Sequence, residues 1–186
     1  MERRSSVIIL NGVGSVGKST MARALQEIAK NTFLHVEMDS FLGMLPKKIF
    51  GHPDGLIFER TDDGGEPCTA IRSGAAVARA MRGMRHAIAA MAAQGNDLIV
   101  DEVLLDETDA TDYRDLLASF DLRLVGLFAP LHVLEARERD RGDREPGLAR
   151  WQFHRVHRGI SYDLEIDTAV AGPAEGARMI QAAFGL

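Results

Sequence analysis

One cysteine, Cys68, is all the thiol chemistry that these 186 residues carry. It can form neither an internal disulfide nor a cysteine-built zinc cage, so a reducing, cytoplasmic setting is the expected compartment. A single small thiol of this kind reads as a packed apolar residue rather than a nucleophile. No stretch is long and apolar enough to span a membrane. The apolar run Val7–Leu10 is too short for a signal-peptide core, is cut by Asn11 and Gly12, and suits a buried strand. Positive charge is also not in excess. Against 27 Asp and Glu stand 22 Lys and Arg, a net charge of −5, which argues against nucleic acid or anionic membranes as partners. There is no internal repeat and no low-complexity tract. What is left is an ordinary globular balance, 46% hydrophobic and 26% charged, at a length that suits one core rather than two.

The hydrophobic pattern alternates between two kinds of segment. Apolar runs at 6–10, 33–38, 97–100, 122–128 and 164–170 suit strands buried on both faces. Between them, helical spacing covers 18–30, 73–93, 109–119, 133–141, 148–156 and 174–184, with a short helix from Phe41 towards Lys48. Asp62-Asp63-Gly64-Gly65 is a strong turn signal inside an otherwise irregular stretch, so an antiparallel hairpin is expected there. Strands alternating with helices predict one α/β domain over 1–186, a three-layer fold with a mainly parallel five-stranded sheet flanked by helices. Residues 46–72 form an irregular insertion, and 133–156 a helical lid.

Gly12, Val13, Gly14, Ser15, Val16, Gly17, Lys18 and Ser19 fit the pattern G-x-x-x-x-G-K-[ST], between a strand and a helix, with Thr20 behind them. The glycines let successive backbone N–H groups turn inward around phosphates, and the helix start adds the positive end of its dipole. Lys18 then reaches the β- and γ-phosphates of ATP, and the Ser19 hydroxyl ligates Mg²⁺. Asp39 ends the second strand, at the edge where such sheets bind ligands. It is a candidate base for an acceptor hydroxyl, or alternatively a helix cap, a role for which Ser40 competes. Asp101, ending the strand Leu98-Ile99-Val100, is placed for metal support. Its neighbour Glu102 points to the other face and stays open. Arg137, Arg141 and Arg144 share one helical face, either as a phosphate clamp on a closing lid or as a solvated stripe of Glu–Arg pairs. His154 and His157 have no partner at ligand spacing and read as solvated or packed imidazoles. Met44-Leu45-Pro46 can line an apolar acceptor pocket.

Together these residues resemble the chloramphenicol 3-O-phosphotransferase family. The resemblance runs from Ile8-Ile9-Leu10-Asn11-Gly12 into Gly17-Lys18-Ser19, and through Met38-Asp39-Ser40 with Met44-Leu45-Pro46. It continues over Gly55–Glu59, Asp63-Gly64-Gly65 and Ile99–Val103, then from Arg141-Gly142-Asp143-Arg144 through Gln152 and Val156-His157 to Gly159–Asp163 and Asp167-Thr168. It implies a nucleoside-kinase-like parallel sheet and transfer of the ATP γ-phosphate, with Mg²⁺, to a small-molecule alcohol of which chloramphenicol is the family's example. It implies Asp39 as base, Lys18 and Ser19 at phosphate and metal, Asp39, Ser40 and Met44 around the acceptor, and the three arginines in the lid. Residues 46–55 and the positions of Trp151 and Arg155 depart from the family pattern. Both regions are expected to face the acceptor, so the same reaction on a nucleotide sugar, shikimate, gluconate or a nucleotide stays open, as does a non-catalytic ATP-binding module. Nothing in the sequence sets the oligomeric state.

Overall fold

The computed structural model describes residues 4–142 and 145–186. Its main sheet holds five parallel strands. In chain order they are β1 (Ser6–Asn11), β2 (Phe33–Glu37), β5 (Asp97–Glu102), β6 (Asp121–Phe128) and β7 (Leu164–Asp167). Their spatial order is β2-β5-β1-β6-β7. Helices are α1 (Lys18–Ile28), α2 (Met38–Gly43), α3 (Ala75–Ala93), α4 (Glu107–Leu116), α5 (Leu131–Arg141), α6 (Leu148–Phe153) and α7 (Pro173–Phe184).

The unbroken apolar run of β1 follows from its central place. Ile8 and Leu10 face one core with Met21, Leu25 and Ile180, while Val7 and Ile9 face another with Met84, Ile88 and Tyr113. Both faces of the strand are therefore dry, and no polar position is left for alternation. The chain leaves β1 towards β2 and leaves β5 towards β6, which lie on opposite sides of the β1–β5 pair. This reversal opens a crevice at the carboxyl ends of β1 and β5, the place where open α/β sheets hold ligands.

A second, two-stranded sheet stands apart: β3 (Leu56–Asp63) pairs antiparallel with β4 (Glu66–Ser73) around the Gly64-Gly65 turn. The roots of this hairpin cross closely, with Gly74 N–H donating to Gly55 O at 2.6 Å. A Cβ on Gly55 would stand 1.8 Å from Ile49 O, and one on Gly74 2.1 Å from Pro53 O, so neither place accepts a side chain.

Some elements differ from the sequence-based expectation. α2 begins at Met38, directly after β2, and stops at Gly43; a separate 3-10 turn covers Lys47–Ile49. Met38 and Phe41 pack on the second core, and that anchorage starts the helix earlier than the apolar spacing from Phe41 suggests. The last strand ends at Asp167 rather than 170, because Val170 and Ala171 N–H both turn back to Asp167 O. α6 ends at Phe153, not 156, as tight turns take over. No helix among the described residues is long and apolar enough to cross a membrane.

Candidate active site

The loop between β1 and α1 owes its shape to two glycines with different duties. Gly17 caps α1 at φ 103°, a left-handed conformation that side chains resist. Gly12 is required for closeness: a Cβ there would lie 2.7 Å from Leu127 O and 2.8 Å from Val16 Cγ1. Ser15 has a φ of 65°, alone among the described non-glycine residues in being positive, and its buried hydroxyl has no hydrogen-bond partner. Strain together with an orphaned polar group at one residue marks a loop shaped for something other than its own stability. Lys18 is buried and donates to Gly12 O at 2.9 Å and Val13 O at 3.2 Å, inside the loop's curl.

Beside the loop, Ser19 Oγ donates to Asp101 Oδ2 at 2.5 Å, and Lys18 Nζ lies 3.8 Å from Asp101 Oδ1. Two oxygen donors converging next to a lysine fit a hard cation between protein and phosphate. Glu102 faces away. It is buried, accepts from Tyr113 OH at 2.8 Å and Val103 N–H at 3.0 Å, and burial pushes its carboxyl up. Arg85 lies over the Tyr113 ring and pairs with Asp109 and Asp112, so this group is an internal brace of the second core.

A cleft of about 580 Å³ joins the loop to α2 and the hairpin. Lys18, Ser19 and Asp101 line it at one end. Asp39 and Leu42, one turn apart on α2, form one side; Leu56, Phe58, Ile71 and Leu148 form an apolar wall. Asp39 is exposed in the first turn of α2 rather than at the strand end, and the N-cap is Glu37, so the capping alternative does not hold. Ser40 and Met44 are not brought to the cleft: the helix turns them outward, and Met44 is 72% exposed. The expected acceptor-facing stretch 46–55 and the pair Trp151 and Arg155 likewise stand outside its lining. Arg155 stacks over the Trp151 ring at 4.5 Å instead.

The arginine stripe divides. Arg137 donates to Thr168 O at 2.8 Å, Thr168 Oγ at 3.0 Å and Val16 O at 3.4 Å, tying α5 to the loop and to the end of β7. It borders a second pocket of about 380 Å³ with Ser15, Val16, Gly17, Thr20, Ala171 and Pro173. Arg141 borders both pockets. α5 stops at Arg141 because Gly142 turns left-handed, and Arg144 lies outside the described residues. Gly14, expected at the phosphates, donates its N–H to Gln152 Oε1 of α6 at 2.7 Å. Val13 is buried under the loop at 2% exposure.

The family profile described as chloramphenicol phosphotransferase-like protein matches residues 5–185. The chain belongs to the chloramphenicol phosphotransferase-like family. A Mycobacterium tuberculosis relative named "Putative O-phosphotransferase Rv2636" is 28% identical over 184 residues, 96% of this chain and 81% of the relative. The M. tuberculosis APS kinase CysC, solved in complex with AMPPNP and APS, superposes with a TM-score of 0.70 at 17% identity, covering 100% of each chain. A tunicamycin resistance protein from Deinococcus radiodurans gives 0.66 at 22% identity, covering 98% of this chain and 97% of its own. At such identities the two structures speak for the fold. Family and fold together make this chain an ATP-dependent phosphotransferase of the P-loop kinase type.

Several residues of this phosphotransferase's cleft escaped sequence reasoning. Arg23 of α1 reaches within 3.5 Å of Glu37, and both line the cleft. Phe58, Ile71 and Leu148 come from a hairpin and a helix whose places against the loop no local pattern announces. His157 is a packed imidazole, as expected. It stacks on Phe128 at 3.9 Å, its Nδ1 lies 2.7 Å from Tyr162 OH, and Asn11 Nδ2 donates to the same hydroxyl at 2.7 Å. Burial first, then the Lys18 charge, lower His157 to about 4; burial raises Tyr162 to about 12.

Proposed function

We propose that this chain transfers the γ-phosphoryl group of ATP to a hydroxyl of a small amphipathic alcohol seated between Asp39 and the β3–β4 hairpin. The observation that carries the reading is the shared cleft. Asp39 lines the same cleft as Lys18, Ser19 and Asp101, together with the apolar Leu56, Phe58, Ile71 and Leu148. An aromatic or aliphatic body rests on Phe58, Ile71 and Leu148, and its hydroxyl points towards the loop. Chloramphenicol has that character and is the first acceptor to test.

In this scheme the loop's N–H groups and Lys18 bind the β- and γ-phosphates. Arg137 and Arg141 border the pocket that takes the rest of the nucleotide, with Ala171 and Pro173 beside the base. Ser19 and Asp101 would hold Mg²⁺, which neutralises charge on the phosphate oxygens when bound. Asp39 accepts the proton of the alcohol, whose oxygen forms the new bond to the γ-phosphorus. The bond to the β–γ bridging oxygen breaks, and ADP leaves with the electron pair. Arg141, and Arg144 by its place in the lid sequence, are assigned to the charge that develops during transfer.

The test is an acceptor panel with labelled ATP. Chloramphenicol-dependent ADP release supports the reading, and ATP binding without transfer to any alcohol overturns it. A second reading is favoured by Arg23 and Arg141 in the same cleft, cations suited to an anionic acceptor. Transfer only to gluconate, shikimate, a nucleotide or a nucleotide sugar selects that one.

A further inference from the structure

Parallel pairing of β2 with β5 puts Glu37 beside Asp101, and the alternation of β2 puts His35 on the same face as Glu37. The result is a compact group: one donor atom from each of His35, Glu37 and Asp101 lies within 4.8 Å of the other two. His35 Nδ1 is 3.8 Å from Glu37 Oε1, and Nε2 is 3.9 Å from Asp101 Oδ2. Both separations exceed hydrogen-bond length. The His35 side chain is only 10% exposed, and its Nε2 is buried with no hydrogen-bond partner. A buried ring nitrogen facing a carboxylate across an unbridged gap is costly as it stands.

We propose that His35, Glu37 and Asp101 form a binding site for a borderline divalent transition-metal ion of the manganese, cobalt or zinc class. A neutral imidazole with its proton on Nδ1, towards Glu37, turns the Nε2 lone pair towards Asp101. An ion between the two satisfies the unpartnered Nε2 and shares Asp101 Oδ2 with the Ser19 hydroxyl. Donors about 2.1 Å from one ion stand roughly 3 to 4 Å apart, so the three need close by about 1 to 2 Å at most. A mixed nitrogen and carboxylate set favours such ions over Mg²⁺, which takes oxygen donors. Of the neighbouring cations, Lys18 donates to the loop carbonyls and lies 3.8 Å from Asp101 Oδ1, on the oxygen that does not face His35, and Arg23 is 70% exposed and can swing away. The site shares Asp101 with the proposed Mg²⁺ position but requires neither nucleotide nor acceptor, so its failure leaves the kinase reading untouched.

The experiment titrates the full-length, nucleotide-free protein with Co²⁺, followed by visible absorption, calorimetry and paramagnetically shifted imidazole resonances. One saturable Co²⁺ per chain is expected, with a shifted imidazole signal. His35→Ala and Glu37→Gln should each weaken Co²⁺ binding by about 10-fold or more and remove that signal or its shift. Mg²⁺ affinity should change by less than about 3-fold in His35→Ala, since a hard cation has little use for the nitrogen. His52→Ala, at an exposed histidine elsewhere, should bind Co²⁺ as the parent does. If His35→Ala does not fold, His35→Gln and Glu37→Gln carry the comparison, with circular dichroism as the check. Absence of Co²⁺ binding, undiminished binding in the His35 and Glu37 variants, or loss of binding in His52→Ala overturns the proposal.

Discussion

The two ends of the central cleft are built differently. The nucleotide end is assembled from the middle of the main sheet: β1 and β5 are buried along their full length, and Lys18 and Asp101 are each 8% exposed. The proposed acceptor end is assembled from a short surface helix and the β3–β4 hairpin, where Phe58 is 37% exposed and Asp39 is exposed too. One end cannot vary without disturbing the core; the other varies at little cost to the fold. In the proposed scheme the reaction is rooted in the part that stability protects, and the choice of acceptor in the part that it does not.

The strongest attempt to break this division is Lys18→Ala, which should lower transfer by about three powers of ten or more, whatever the acceptor. Labelled-ATP turnover measures it, and near-normal rates would end the assignment. Next comes Asp39→Asn. Transfer should fall by about 10²- to 10⁴-fold while nucleotide affinity, followed by fluorescent-nucleotide displacement, stays at the parent value. Equal losses in both would make Asp39 part of the nucleotide end after all. Phe58→Ala should raise the acceptor KM about 5- to 10-fold and leave the KM for ATP unchanged. A matching rise in both constants would show that the two ends are not independent.

The last test touches neither end and concerns His157, stacked on Phe128 beside the Tyr162 hydroxyl. His157 has the ordinary imidazole value of 6.5 when unfolded, and burial, then the Lys18 charge, lower it to about 4 in the folded chain. Between those values the unfolded chain holds more protons, so stability declines as pH falls from about 6.5 to 4, by at most about 3 kcal/mol and by less once solvent screening of the partly buried ring is counted. His157→Phe should flatten that slope, read from urea midpoints at about pH 7 and pH 5. An unchanged slope would move the titration to another group.

Legibility in the sequence followed the same division. The five strands and the hairpin turn were visible because buried parallel strands leave continuous apolar runs and Asp62–Gly65 has few other uses. Gly12 to Ser19 was visible because phosphate cradling restricts residue types at fixed spacing. Asp101 and Glu102 could be told apart in direction by alternation alone. Ser40 and Met44 were expected around the acceptor yet lie outside the cleft lining, because their orientation depends on a helix that starts at Met38 through core contacts of Met38 and Phe41. Phe58 and Ile71 reach the cleft, and Gln152 the loop, only through tertiary packing, and nothing in their neighbours' spacing encodes that meeting. The arginine stripe was legible as charge but not as a partition, because Gly142 ends α5 before the stripe is complete.

The crossing of Gly55 and Gly74 at the hairpin root suggests a route for engineering. Leu56, Phe58 and Ile71 of the proposed acceptor wall lie between those two glycines, and the crossing itself tolerates no side chain. It acts as a fixed socket into which a hairpin of different length or wall chemistry can be grafted, with both glycines kept as the splice points. Libraries confined to residues 56–73 would then search acceptor preference on a scaffold whose phosphate chemistry is held constant.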